Sequence, residues 1–152
     1  MRAMAYQQLN QSKIGKKTIL SIEDNADEWF IIRWTLVQLF PGANLVWQSD
    51  ASQAKDYLAA CLQPEKSLPD LILVDLYLPT PEAGLEILEA LKSQPVYQQI
   101  PTVVLSRSSD QNDITDTFDR SANSYIIKPT TYKEWVEGLV MLRTYWADSC
   151  VS

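Results

Sequence analysis

Acidic residues stand directly after two of the apolar runs in this sequence. The run Thr18–Ile22 ends in the pair Glu23-Asp24, and the run over residues 71–74 ends in Asp75. Because like charges repel and resist burial, carboxylates at such positions are stable together when a cation lies between them. Mg²⁺ prefers oxygen ligands and is commonly held by one or two carboxylates with water and phosphate. The three side chains are therefore candidate Mg²⁺ ligands.

A hydroxyl and an amine follow the next two apolar runs. Ser106 comes after residues 102–105, and Lys128 comes after residues 125–127. Lysine supplies a point charge to an anionic oxygen, and serine supplies a hydrogen bond. A carboxylate beside a metal and an amine can attack phosphorus and form an aspartyl phosphate. The pattern therefore predicts a phosphoryl group on Asp75, contacted by Lys128 and Ser106.

Each of these residues also has a structural explanation when it is taken alone. Asp24 could cap a helix, Ser106 could be an ordinary strand-end hydroxyl, and Lys128 could be a solvated residue of a turn. Ligands of an open parallel sheet bind beyond the carboxyl ends of its strands. The joint occurrence at four strand ends therefore favours a functional site.

The elements that would position these residues follow one another regularly. Short apolar runs alternate with segments of helical period, which is typical of βαβ units around a parallel sheet. The predicted strands are 18–22, 43–48, 71–74, 102–105 and 125–127, and the predicted helices are 26–40, 51–62, 85–92, 110–119 and 132–146. Apolar stripes are predicted at Phe30, Trp34 and Val37 in the first helix and at Ile114 and Phe118 in the fourth, which we expect to be weakly anchored.

The composition is typical of one globular domain, with 152 residues of which 46% are hydrophobic and 21% charged. We expect a polar N-terminal extension over 1–16, the domain over 17–147 and a C-terminal tail over 148–152. No run of about eighteen apolar residues is present, so no membrane span is expected. The first residues lack the apolar centre of a secretory signal, which favours a cytoplasmic protein.

The charge and the missing residue types exclude several functions. A net charge of −6 disfavours direct binding to nucleic acid. With no histidine the chain has no Ser-His-Asp or Cys-His nucleophile system and no phosphohistidine of its own. Two cysteines are too few for a disulfide framework.

Four segments of the chain resemble the receiver domain of bacterial two-component response regulators. TILSIEDNADE is similar to the first strand and acidic pair of that family, LILVDLYLP to its phosphoacceptor strand, IPTVVLS to its switch-hydroxyl strand, and SANSYIIKP to its lysine strand with a cis-prone Lys-Pro bond. The resemblance covers residues 17–146. It implies an α/β fold with a five-stranded parallel sheet, the flavodoxin-like strand order 2-1-3-4-5, and helices on both faces.

The resemblance also implies a role for each site residue. The implied roles are Mg²⁺ ligation by Glu23, Asp24, Asp75 and the backbone carbonyl of Tyr77, phosphoryl acceptance by Asp75, phosphoryl contact by Lys128, and switching by Ser106 and Tyr125. The implied activity is acceptance of a phosphoryl group from a sensor histidine kinase or a histidine phosphotransfer protein, followed by slow self-dephosphorylation and no other catalysis. A downstream protein would then bind the changed surface.

Two features depart from the family pattern. Arg107 stands where the family usually has a small residue, and it could either obstruct the phosphoryl donor or add a charge-assisted contact. The loop over residues 75–84 is one residue longer than usual. The alternative function is therefore a pseudo-receiver, an interaction module that is not phosphorylated. An aspartate-nucleophile hydrolase ranks last, because it requires a second Asp at position 77, which is tyrosine.

The last predicted helix carries more apolar residues than one sheet face needs. Trp135, Leu139, Leu142 and Trp146 form one stripe, and Tyr132, Val136, Val140 and Met141 widen it. A broad core helix would explain this excess, and so would a partner surface, including one for a second copy in a homodimer. The extended helix resembles single-domain regulators that partner phytochrome-type sensor kinases, sometimes as dimers.

Overall fold

The computed structural model describes residues 16–145. The predicted extension up to residue 15, Trp146 and the predicted tail over 148–152 lie outside the described residues. Five strands form one sheet: β1 (Thr18–Ile22), β2 (Asn44–Gln48), β3 (Leu71–Asp75), β4 (Thr102–Ser106) and β5 (Ser124–Ile127). All neighbouring strands are parallel, in the order β2-β1-β3-β4-β5. The predicted fold and the flavodoxin-like strand order are confirmed.

The pairing register aligns the carboxyl ends of the strands. Asp75 of β3 pairs with Leu105 of β4, and Ser106 pairs with Ile127 of β5. Because all of these strands run in the same direction, the side chains that follow them meet at one edge of the sheet. We call this edge the carboxyl edge.

In the described residues four helices connect the strands, α1 (Ala26–Leu39), α2 (Ala51–Ala60), α3 (Pro81–Ser93) and α4 (Gln111–Asp119), and a fifth, α5 (Tyr132–Leu139), follows β5. A single helical turn, Pro95–Gln98, follows α3, and a 3-10 turn, Val140–Leu142, follows α5. Each of the five helices begins after a polar residue whose side chain accepts a backbone N–H of the first turn; these residues are Asn25, Asp50, Thr80, Asp110 and Thr131. The helix starts are thus set by local sequence. None of the described helices is long and apolar enough to cross a bilayer.

Helices cover both faces of the sheet, as predicted. On one face, α1 and α5 enclose a core whose buried members include Ile19, Ile32, Leu36, Leu73 and Leu139. On the other face, α2 and α3 enclose a core whose buried members include Leu20, Leu58, Ile72, Ile87 and Leu91. Burying each such side chain contributes about 1.5–3 kcal/mol to the free energy of unfolding. The two cores cover β1 and β3 on both faces.

The predicted apolar stripe of α1 is on the wrong face. Phe30, Trp34 and Val37 are 65%, 42% and 44% exposed, while Ile32 and Leu36 are buried. Apolar residues occur on both sides of this helix, so its period alone does not show which side faces the sheet. Contacts with the sheet and with α5 select the face that carries Ile32 and Leu36.

Helix α4 is held by few buried side chains. Thr117 is its buried residue, whereas Ile114 is partly buried and Phe118 is exposed. The prediction of weak anchoring is confirmed, but the inward position predicted for Phe118 is wrong. A helix with so little buried apolar area can move at low cost.

Helix α3 begins at Pro81, earlier than the predicted start at residue 85. The Thr80 hydroxyl accepts the N–H of Ala83, and proline suits the first helical position because it needs no donor there. A Cβ on Gly84 would lie 1.8 Å from the carbonyl oxygen of Leu76. Glycine therefore allows α3 to pack directly against the loop that follows Asp75.

Two further expectations differ from the structure. The last predicted helix, 132–146, is α-helical over Tyr132–Leu139, continues as the 3-10 turn, and is α-helical again over residues 143–145, where the described residues end. The Lys128–Pro129 bond, which the resemblance implies to be cis-prone, is not cis. Among the described residues the cis peptide bond joins Leu78 to Pro79.

Candidate functional site

Three carboxylates converge at the carboxyl edge. One oxygen from each of Glu23, Asp24 and Asp75 lies within 4.8 Å of the other two. Glu23 and Asp75 are buried, while Asp24 is exposed beside them. A set of carboxylate oxygens open to water on one side suits a hard divalent cation such as Mg²⁺ or Mn²⁺. The donor set therefore fits the metal that the sequence predicts.

The ammonium group of Lys128 lies among these carboxylates. Its Nζ is 3.0 Å from Oε2 of Glu23 and 3.3 Å from Oδ1 of Asp75, and it also donates to Oε2 of Glu28. Lys128 is buried, so its charge would be costly without these partners. Lys128, which follows β5, thus places one cation among acidic residues that follow β1, end β3 and lie in α1.

Burial changes the pKa values of the cluster. Burial raises the pKa of Glu23 to about 8, although the Lys128 ammonium opposes the shift. Burial likewise raises the pKa of Asp75 against the same opposing charge. Burial alone would lower the pKa of Lys128, but Glu23 and Asp75 outweigh that effect and raise it. The raised pKa of Lys128 keeps its ammonium charged at neutral pH, and burial shifts Glu23 toward its protonated form in the absence of metal.

Ser106 and Tyr125 both contact the loop between β4 and α4. Ser106 is buried, and its hydroxyl accepts the N–H of Ser108 at 3.1 Å. The Tyr125 hydroxyl donates to the carbonyl oxygen of Ser108 at 2.8 Å. The two side chains therefore hold opposite sides of the same backbone segment, next to the Asp75–Leu105 pair.

Tyr77 joins two loops at the carboxyl edge. Its N–H donates to Oδ1 of Asp75 at 3.2 Å, and its hydroxyl donates to Oδ2 of Asp113 at 3.1 Å. The Ser108 hydroxyl donates to the same Asp113 oxygen at 2.6 Å. Asp113 thus connects the loop after β3 and the loop after β4 to the start of α4. A metal contact by the carbonyl of Tyr77 stays a prediction.

Sequence reasoning missed Glu28 and Asp113. Glu28 lines a cleft of about 620 Å³ and binds Lys128 and Arg107 there, and Asp113 binds Tyr77 and Ser108, which line the same cleft. An acidic residue in the first turn of a helix is common because it complements the helix dipole. No signal in the sequence therefore distinguishes these two from ordinary helix-start acids.

Comparison with known proteins identifies the fold and the family. The family model described as "Response regulator receiver domain" matches residues 19–139. The protein named "Probable methanogenesis regulatory protein FilR2" from Methanothrix harundinacea is 31% identical over 128 residues, which is 84% of this chain and 82% of that protein. Response regulator Rcp1 from Synechocystis sp. is 28% identical over 134 residues, covering 88% of this chain and 90% of the relative.

Solved structures agree with these sequence matches. The phosphorylated cyanobacterial phytochrome response regulator RcpA has a TM-score of 0.75 and 32% identity, covering 86% of this chain and 94% of that one. The Mn²⁺-bound form of Rcp1 has a TM-score of 0.72 and 28% identity, covering 86% of this chain and 94% of that one. Receiver domains are signalling modules rather than classical enzymes, and they interact with histidine kinases and downstream partners. Because the family model spans the sheet from β1 to α5 and the relatives are covered over most of their lengths, this chain belongs to the response regulator receiver domain family.

Proposed function

We propose that the protein accepts a phosphoryl group on Asp75 from a sensor histidine kinase or a histidine phosphotransfer protein, in a Mg²⁺-dependent reaction. The observation that carries this proposal is the meeting of Asp75 with two further carboxylates and with Lys128, whose Nζ is 3.3 Å from Oδ1 of Asp75. The likeness to phosphorylated RcpA and to Mn²⁺-bound Rcp1 supports it.

The reaction requires a nucleophile and compensation of negative charge. An Asp75 oxygen forms the new bond to phosphorus while the bond from phosphorus to the donor nitrogen breaks, and the electron pair leaves with that nitrogen. Lys128 holds a positive charge beside Oδ1 of Asp75. A bound Mg²⁺, held by Glu23, Asp24, Asp75 and the carbonyl of Tyr77, would neutralise phosphoryl charge. Slow hydrolysis of the acyl phosphate would reset the protein.

The output we propose is a rearrangement of the loop between β4 and α4. The Ser106 hydroxyl, which now accepts the N–H of Ser108, would turn to donate to a phosphoryl oxygen. Ser108 would then shift, and the contact between its carbonyl and Tyr125 would change with it. Helix α4 would move with this loop at low cost, because, among its described residues, Thr117 is the one buried residue that holds it to the core.

The partner surface we propose includes the exposed apolar residues of α1 and the last helical segment. Trp34 contacts Tyr132 edge to face at 5.4 Å between ring centroids, and Phe30, Val140 and Met141 are also exposed. Exposed large apolar side chains on two helices in contact favour a protein partner. We assign this surface to a kinase or downstream protein, or to a second copy of the chain in a homodimer.

Phosphoryl uptake tests the proposed function directly. With saturating acetyl phosphate and Mg²⁺, intact mass is expected to increase by one phosphoryl group in most molecules. EDTA should prevent the increase, and hydroxylamine should reverse it because an acyl phosphate is cleaved by that nucleophile. Peptide mapping should locate the group on Asp75. No increase at saturating donor would favour the pseudo-receiver, an interaction module that is not phosphorylated.

Mg²⁺ binding is expected to strengthen as pH rises from about 6 to 8. In the metal-free protein the pKa of Glu23 is about 8, so Mg²⁺ must displace a proton at lower pH. One displaced proton corresponds to about a tenfold gain in affinity per pH unit, with a plateau above the pKa. Calorimetric titrations at pH 6, 7, 8 and 9 in two buffers of different ionisation enthalpy measure both affinity and proton release. Affinity independent of pH would contradict the shifted pKa.

A further inference from the structure

Glu28 bridges two cations at the mouth of the cleft. Its Oε1 is 2.6 Å from Nη2 of Arg107 and accepts the Nε–H of Arg107 at 2.9 Å. Its Oε2 accepts a hydrogen bond from Lys128. The side chain of Glu28 is 13% exposed, whereas that of Arg107 is 60% exposed. One carboxylate on α1 therefore connects the ends of β4 and β5.

The three donors of the Lys128 ammonium all face carboxylates in this arrangement. Glu23, Glu28 and Asp75 lie within hydrogen-bond or ion-pair distance of Nζ. An ammonium group has three N–H donors and no more. One oxygen of a phosphoryl group on Asp75 can take the donor that now faces Asp75, and a second contact with Lys128 therefore requires that Glu23 or Glu28 release its donor.

Glu28 is the partner that can leave. Asp75 would carry the phosphoryl group, and Glu23 is buried within the metal-binding carboxylate cluster. Glu28 lies outside that cluster, and its second partner, Arg107, is exposed enough to move with it. Release of Lys128 by Glu28 would free one N–H donor for a second phosphoryl oxygen.

Glu28 also adds negative charge where an anionic donor must enter. Burial raises its pKa, but the hydrogen bonds and charges of Lys128 and Arg107 outweigh burial and lower the pKa overall. Glu28 is therefore ionised at neutral pH. Its charge is close to Asp24 and Asp75, which line the same cleft.

We propose that Glu28 limits phosphoryl binding and phosphoryl transfer, because its carboxylate competes with the phosphoryl oxygens for Lys128. Arg107 is a positioning residue that holds Glu28 in the competing position. This inference rests on the proposed function and deepens it. It also assigns a role to the arginine that stands where the family usually has a small residue: Arg107 acts through Glu28 rather than by blocking the donor or by binding the phosphoryl group.

Beryllofluoride in the presence of Mg²⁺ is the probe of phosphoryl binding. Trp47 reports on the site, because its indole N–H donates to the carbonyl oxygen of Glu23 at 2.7 Å and its ring stacks on Trp29. Glu28→Gln is expected to bind beryllofluoride about tenfold more tightly than the wild-type protein. This factor corresponds to the loss of one charge-assisted hydrogen bond that competes for Lys128. Phosphorylation by acetyl phosphate should accelerate by a similar factor.

Asp27→Asn is the matched control for Glu28→Gln. Asp27 belongs to the same helical turn and carries the same charge, but it is exposed and does not line the cleft. Its replacement should change beryllofluoride affinity less than twofold, as expected for a surface charge screened by water and salt. Equal effects of Asp27→Asn and Glu28→Gln would show that the loss of negative charge near the cleft, rather than the contact of Glu28 with Lys128, changes the affinity. That result would overturn the proposal.

The role of Arg107 is tested in both backgrounds of residue 28. Arg107→Ala is expected to increase beryllofluoride affinity about threefold when Glu28 is present, since Lys128 still holds the carboxylate, and to have no effect in Glu28→Gln. Arg107→Lys should restore wild-type affinity in part. If Arg107→Ala weakens binding equally in both backgrounds, Arg107 attracts the anion itself and its positioning role is wrong.

The failure of this inference is distinguishable from failure of the proposed function. If neither the wild-type protein nor Glu28→Gln takes up phosphoryl or beryllofluoride, the proposed function fails. If both do so with equal affinity and rate, the proposed function holds and the competition by Glu28 is disproved. Thermal unfolding of each variant verifies that the compared proteins are folded.

Discussion

Asp75→Asn is expected to take up no phosphoryl group from acetyl phosphate, even with saturating Mg²⁺. An amide is not a nucleophile toward phosphorus, and Asp75 is the carboxylate that lies both in the metal cluster and at the end of the central strand β3. Asparagine has nearly the same shape and can still accept the N–H of Tyr77. The loss should therefore be chemical rather than structural, and intact mass measures it.

Asp70→Asn is the matched control for this variant. Asp70 precedes β3 at the opposite end of the strand, where its carboxylate accepts the N–H of Thr18. The same chemical change there should leave phosphoryl uptake within about twofold of wild type, although the fold loses one charge-assisted hydrogen bond. Full uptake by Asp75→Asn, with the group mapped to another residue, would show that Asp75 is not the acceptor.

Asp75→Asn should also change the stability of the metal-free protein. Burial raises the pKa of Asp75, so the folded protein binds the Asp75 proton more tightly than the unfolded chain does. The stability that this proton contributes is present below the unfolded pKa and is lost as pH rises through the folded pKa. At neutral pH in EDTA, removal of the charge is therefore expected to raise the urea midpoint. The difference from wild type should shrink toward pH 4.

Lys128→Met is expected to slow phosphoryl transfer by about 10²–10³-fold, the usual cost of removing one preorganised charge from a reacting centre. Lys128 Nζ is 3.3 Å from Oδ1 of Asp75, and its raised pKa keeps it charged at neutral pH. Methionine has a similar length and fills the buried space without the charge. The rate of acyl phosphate formation with acetyl phosphate and Mg²⁺ measures this effect.

The same substitution should destabilise the metal-free protein by about 3 kcal/mol near pH 8, because buried carboxylates lose their cation. The loss should be smaller near pH 5.5. There Glu23, whose pKa is about 8, is protonated and needs no counterion. Urea unfolding at the two pH values, in EDTA, measures the difference. Equal losses at both values would indicate that lost packing, rather than lost charge, causes the destabilisation.

Lys92→Met separates the effect on rate from the effect on stability. Lys92 Nζ donates to the carbonyl oxygen of Ile100 at 2.8 Å and does not line the cleft. Its replacement should destabilise the protein, since buried carbonyl groups lose a donor, but should leave the rate of phosphoryl transfer unchanged. A slowed rate in Lys92→Met would mean that lower stability alone can slow the reaction.

Local patterns in the sequence specify most of the helices and strands and the main set of site residues. Alternating apolar runs and helical segments specify βαβ units, and polar caps such as Asn25 and Thr131 set helix starts through bonds within one turn. Parallel strands then place their carboxyl ends at one edge whatever the details of packing. For that reason the sequence predicts that Glu23, Asp75 and Lys128 lie close together.

Which helix faces are buried, and which further residues contact the candidate site, depends on packing across the whole domain. The buried face of α1 depends on its rotation against the sheet and α5, and an apolar residue such as Trp34 gives no indication of that rotation. The pair formed by Arg107 and Glu28 joins positions 79 residues apart, and the bond from Tyr77 to Asp113 joins positions 36 residues apart. Such contacts depend on helix orientation and side-chain rotamers set by the whole core, which local patterns do not encode.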